Sequence, residues 1–169
     1  MVDSSGSPEF PQAESDRVRP VAFLLTQIGE HVALEFSQRI AAFGLTAPQA
    51  GLLRLAALYP GDHQREFARR LGLTPSRIVA FVDVLQERDL LERRRNAKDR
   101  RFQGLFLTPQ GEEVMRELGK VVLAQDEELC AGLDPEDRRR LSALLRHVAG
   151  TQGLVEGIHP GYRRLRSAD

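Results

Sequence analysis

The chain has 169 residues, 41% hydrophobic and 28% charged, the make-up of one ordinary globular domain or one domain with an appended helical layer. Lysine plus arginine balance aspartate plus glutamate at 24 each, so bulk charge gives no argument for a nucleic-acid partner, and any such argument must come from local clustering. No window approaches the ~18 apolar residues of a membrane span, no basic start followed by an apolar core marks a secretory signal, and the single cysteine, Cys130, excludes an internal disulfide framework and fits a cytoplasmic protein.

Residues 1–16 read as a disordered tail in which Gly6-Ser7-Pro8-Glu9-Phe10 resembles the linker left by fusion vectors; a natural tail is the alternative. The first periodic segment follows, over 17–44. Val21, Leu24, Leu25, Ile28, Val32, Phe36, Ile40 and Phe43 recur at three- and four-residue steps, which puts them on one helical face, and Gly44 supplies the stop. A second helix opens at Thr46-Ala47-Pro48-Gln49, where Thr46 caps and Gln49 holds the reciprocal capping-box position, and it ends before Pro60-Gly61. A polar link over 62–65 leads to a compact helix with Phe67, Ala68 and Leu71, closed by Gly72. Thr74-Pro75, a capping threonine with proline at the first helical position, starts a fourth helix reaching about Arg88. Its inner face is predicted to be Ile78, Phe81, Val82 and Leu85. The short Gly72-Leu73 connection suits a helix-turn-helix.

Leu90-Leu91-Glu92-Arg93 and the run from Phe102 to Leu107 flank a charged loop, Arg94 to Arg101, and read as a two-stranded hairpin. Thr108-Pro109 then opens a helix reaching about Cys130. Gly132 breaks it, and Asp134-Pro135 starts the last helix, with Leu141, Leu144, Leu145 and Val148 on one face. The predicted fold is therefore mainly α with a small two-stranded β wing: a winged helix-turn-helix lobe over 45–107, helices over 17–44 and 108–150, and a tail over 151–169. The terminal helices are longer than a small lobe needs, and a second copy of the chain is the simplest cover for their apolar faces.

In a helix-turn-helix the second helix enters the major groove and its early residues meet bases and phosphates. Here those residues are Thr74, Ser76, Arg77 and Ala80. Arg77 suits a guanine edge, and Ala80 or Val84 a thymine methyl. A solvated surface explains the same residues equally well, so this face alone decides nothing. The hairpin tips the balance. Arg93, Arg94, Arg95, Lys98, Arg100 and Arg101 fall within nine residues, with Asp99 the sole acid among them, which matches the phosphate-binding charge of a DNA-binding wing. An arginine at a wing tip can also enter a narrow minor groove.

Leu71-Gly72-Leu73-Thr74-Pro75-Ser76 with Val82-Asp83-Val84-Leu85-Gln86-Glu87-Arg88 resembles the recognition-helix segment of the MarR family. Asp99-Arg100-Arg101 followed by Leu107-Thr108 and Gly111 resembles that family's wing signature, and Leu45-Thr46 and Leu133-Asp134-Pro135-Glu136 agree with it; the resemblance spans about 18–150. It implies a homodimeric transcription regulator, joined through the first and last two helices and bound to a palindromic double-stranded operator. It also implies that Arg101 reaches the minor groove, that Asp99 braces the wing, and that a small organic ligand, often aromatic or lipophilic, releases a repressor from DNA. By position in the family, Gln27, His31, Phe36 and Leu53 are the candidate lining of the ligand pocket. Two residues depart from the pattern. Asp89 stands where many relatives have glycine, and Ala80 where many have a polar or basic residue.

Cys130 is a candidate redox sensor and otherwise an inert, helix-packed thiol; a redox-responsive regulator through Cys130 and a winged-helix protein-interaction module are the rival functions. His31 and Glu35, one turn apart, begin a metal site that nothing else in the sequence completes. No zinc-finger spacing, phosphate loop or Gly-x-Ser-x-Gly elbow occurs, so no motif supports an enzyme, a metal or a cofactor.

Overall fold

The computed structural model describes residues 20–95, 103–154 and 157. Among these residues the chain forms α1 (Val21–Ala41), α2 (Ala47–Leu58), α3 (Gln64–Leu71), α4 (Pro75–Glu87), β1 (Leu91–Arg95), β2 (Gln103–Leu107), α5 (Pro109–Leu129) and α6 (Pro135–Thr151). The helix starts follow from local chemistry. Each of α2, α4, α5 and α6 has proline in its first turn, where the missing N–H is one the helix could not have used. The Thr108 hydroxyl accepts from the Gly111 N–H at 3.0 Å, and an Asp134 carboxylate oxygen accepts from the N–H groups of Glu136 and Asp137, both at 2.8 Å. The Gln49 side-chain oxygen receives the Thr46 N–H at 2.9 Å and its hydroxyl at 3.1 Å, the expected capping-box position in use.

The core sits under the helix-turn-helix. Leu52 and Leu53 of α2, Phe67 and Leu71 of α3, Ile78, Val82 and Leu85 of α4, and Leu90, Leu91 and Leu105 of the wing are fully buried. Gly72, at φ 67°, makes the left-handed turn between α3 and α4 that a side chain would resist. The inner face of α4 is narrower than the periodicity predicts. Phe81 is only half-buried, packed at the edge of the core.

The wing also departs from expectation. β1 continues to Arg95, in antiparallel register from Leu91↔Leu107 to Arg95↔Gln103, so Arg94 and Arg95 belong to the strand and not to the loop. A half-solvated antiparallel strand tolerates charge on its outer face, which a periodicity argument based on apolar runs misses. The chain after α2 also pairs with β2, outside the two-stranded sheet. The Gly61 N–H donates to Leu105 O at 2.8 Å, the Leu105 N–H to Asp62 O at 3.1 Å, and His63 bridges to Gly104. A Cβ at Gly104 would lie 2.3 Å from the Gly61 carbonyl oxygen, so only glycine permits this approach.

The terminal helices form a separate layer. Among the described residues, α1 seals Ile40 alone and α6 seals none. Val21 is 65% exposed, Leu123 of α5 65% and Leu144 of α6 59%. Inside the layer, buried Gln125 of α5 donates to Val32 O of α1 at 2.8 Å, Arg39 of α1 pairs with Glu128 of α5, and Arg138 of α6 pairs with Asp126 of α5. No helix among the described residues is long and apolar enough to cross a membrane.

Candidate nucleic-acid interface

The outer face of α4 carries the predicted residues together. Thr74, Ser76 and Ala80 are exposed and Arg77 is half-buried. The Thr74 hydroxyl accepts from the Arg77 N–H at 3.4 Å and lies 3.2 Å from the Ser76 hydroxyl, so Thr74 caps the helix whose first turn it would present. Val79 and Val84 are exposed on the same helix.

The arginines of the wing divide by role. Arg93 turns inward. Its guanidinium donates to Asp83 Oδ1 at 2.8 Å, to Gln64 Oε1 at 3.2 Å and to the side-chain oxygen of Gln86. One side chain thus bolts the wing to α4 and α3, and its charge is committed to Asp83. Arg94 pairs with Glu92 at 3.1 Å and lies over the Phe106 ring, 4.3 Å from its centroid. Arg95 is exposed at the end of β1. Lys98, Asp99, Arg100 and Arg101 lie outside the described residues.

The Leu107-Thr108-x-x-Gly111 element has a mechanical basis. The Thr108 hydroxyl donates to Asp89 O while capping α5, and the first turn of α5 lies so near Leu90 that a Cβ at Gly111 would meet the Leu90 carbonyl oxygen at 2.1 Å. Asp89 takes φ 54°, the left-handed conformation that glycine would adopt more cheaply. The preceding residue, Arg88, was not singled out by the sequence. Its guanidinium donates to Phe43 O at 2.6 Å and Gly44 O at 2.7 Å, clasping the turn after α1 to the end of α4. Only the three-dimensional return of α1 onto the lobe makes this visible.

The structure places the four residues expected to line a ligand pocket at different depths. Leu53 is sealed in the core, Phe36 is half-buried against that core, and Gln27 and His31 are exposed. His31 Nε2 lies 3.4 Å from Glu35, and no group of three or more metal-ligating side chains occurs among the described residues. An open groove of about 1080 Å³ lies between α5 and α6, lined by Leu129, Cys130, Arg138, Leu141, Leu145 and Leu154 among others. Cys130 is half-buried at the C-terminal end of α5. Hydrogen bonding to Arg39 holds the Glu128 carboxyl below the ordinary carboxylate range, and hydrogen bonding to Arg69 does the same for Glu66.

The family model described as MarR family matches residues 43–101, which span the helix-turn-helix and the first strand of the wing. The putative transcriptional regulatory protein for the hcr operon of Thauera aromatica is 31% identical over 105 residues, covering 62% of this chain and 63% of that protein, so the chain spans less than two thirds of that relative. Among solved structures, the repressor CouR bound to a 23-mer DNA duplex is 30% identical, with 77% of this chain and 92% of that one covered at a TM-score of 0.65. The MarR family protein Rv2887 of Mycobacterium tuberculosis, in complex with DNA, is 25% identical, with 77% and 98% covered at a TM-score of 0.67. With the helix-turn-helix, the wing and the motif that joins the wing to α5 in place, the chain belongs to the MarR family.

Proposed function

We propose that the chain is a homodimeric, sequence-specific DNA-binding transcription repressor released by a small organic ligand. The observation that carries this reading is the shared surface of α4 and the wing: small and polar residues, Thr74, Ser76, Arg77 and Ala80, with Arg95 exposed at the end of β1 and Arg94, paired with Glu92, on the other face of the hairpin. The small side chains let the helix backbone approach the groove floor, and the guanidinium groups supply phosphate contacts. Lys98, Arg100 and Arg101 extend that charge along the sequence, with Asp99 as the wing brace. Relatives support the reading: CouR and Rv2887 have structures with DNA, and CouR from Rhodococcus jostii RHA1 has one with p-coumaroyl-CoA.

The segments 17–44 and 108–150 would join two copies, because the exposed apolar faces of α1, α5 and α6 need cover. Two recognition helices about 34 Å apart then fit successive major grooves. A ligand that prefers a differently spaced dimer shifts the population away from DNA, with a coupling of about 1–3 kcal/mol. Arg88 gives that shift a path, since it holds the end of α1 to the end of α4. Gln27, His31 and Phe36 of α1 and Leu53 of α2 remain the candidate lining residues.

Fluorescence anisotropy over a salt series tests the reading, using a duplex enriched from a random pool by the full chain and a scrambled duplex of equal composition. Salt-sensitive binding that favours the enriched duplex is expected. Equal, feeble binding to both would leave a protein-interaction module as the better account.

A further inference from the structure

Beyond its first turn the exposed face of α4 carries two carboxylates, Asp83, which is paired with Arg93, and Glu87 at the C-terminal end, and otherwise only methyl-bearing side chains. Val79 is 42% exposed and Val84 39%, and Ala80 is exposed beside them. Ser76, Ala80 and Val84 follow at one residue per turn and form a line about 12 Å long at ~1.5 Å rise per residue. Val79 stands one turn before Asp83, whose carboxylate pairs with Arg93 of β1, so it lies on the wing side of that line. None of these three side chains is needed to close the core, which Ile78, Val82 and Leu85 seal from the other face.

Side chains that carry only methyl groups cannot pair with the donor and acceptor edges of guanine, adenine or cytosine. In the major groove the C5-methyl of thymine is the one apolar group a base presents. The surroundings favour a polyanion over a neutral apolar partner, because Arg77 adjoins the patch in sequence and Arg95 is exposed at the end of the strand packed beside it. Resting on the DNA-binding reading above, we propose that Val79, Ala80 and Val84 select thymines in each half-site by contact with their C5-methyl groups. Hydrogen-bond readout by this helix then falls chiefly to Ser76 and Arg77 near its N-terminus. The operator this helix prefers is accordingly one with thymine methyls clustered in the major groove.

The duplex enriched by the full chain is remade with deoxyuridine at each thymine in turn, which removes the methyl and leaves base pairing intact. Affinity is read by anisotropy at fixed salt. Two or three positions per half-site should each lose about fourfold in affinity, the worth of one buried methyl. In Val79→Ala or Val84→Ala protein, whose thermal midpoints confirm folding, at least one of those positions should lose its sensitivity. Deoxyuridine duplexes bound as tightly as the thymidine duplex at every position would overturn the inference and leave DNA binding standing. Methyl sensitivity unchanged in both variants would overturn its assignment to these side chains. Enrichment of no sequence would overturn the DNA-binding reading and this inference with it.

Discussion

Arg93 donates to Asp83 and Gln86 on α4 and to Gln64 on α3, so its guanidinium fixes the wing against the helix-turn-helix at three points. Hydrogen bonds to charged groups contribute about 1.5–3 kcal/mol when buried, and partial exposure of this pair reduces that. Arg93→Ala should therefore cost about 1–2 kcal/mol of lobe stability by urea denaturation, while Arg95→Ala, at an exposed strand end, should leave the midpoint unchanged. Equal effects of the two would show that Arg93 does not bolt the wing. Sequence alone counted Arg93 with the phosphate-binding cluster, because charge density does not reveal which way a strand residue points. The same limit applies to Thr74, legible as a helix cap and as an interface residue, and found here serving the cap.

At the scale of elements, capping chemistry made most boundaries legible. Thr46 with Gln49, Thr74-Pro75, Thr108-Pro109 and Asp134-Pro135 each start a helix where the sequence placed one. What stayed hidden depends on long-range contact: the pairing of Gly61–His63 with β2, the extension of β1 to Arg95, and the Arg88 clasp on Phe43 and Gly44. The α1–α5 contact carries a pH signature. Hydrogen bonding to Arg39 depresses the Glu128 pKa, so the pair favours the folded state above the unfolded glutamate value of about 4.3 and the gain is lost as pH falls through the depressed folded value. Thermal midpoints of the wild-type chain and Glu128→Gln should differ at pH 7, and the difference should shrink toward pH 3. A difference that stays constant over that range would mean that the ion pair is not its source.

At the scale of the whole molecule, two surfaces ask for partners. The first is the apolar face of the terminal layer, where Leu123 and Leu144 stand largely exposed in a single chain. Sedimentation equilibrium should give twice the chain mass, and Leu123→Glu with Leu144→Glu should give the single-chain mass with helical content retained. A wild-type monomer at micromolar concentration would remove the basis for paired half-sites. The second surface is α4 with the wing.

The central claim is that this second surface holds DNA, and the most direct test is the salt dependence of binding to the enriched duplex for wild type, Arg77→Ala and Arg95→Ala. Each variant should weaken binding, and loss of a phosphate contact should lower the slope of log affinity against log salt by about one for each copy of the contact removed. Affinity and slope unchanged in both variants, with folding intact, would contradict the account and place the DNA-binding surface elsewhere on the molecule.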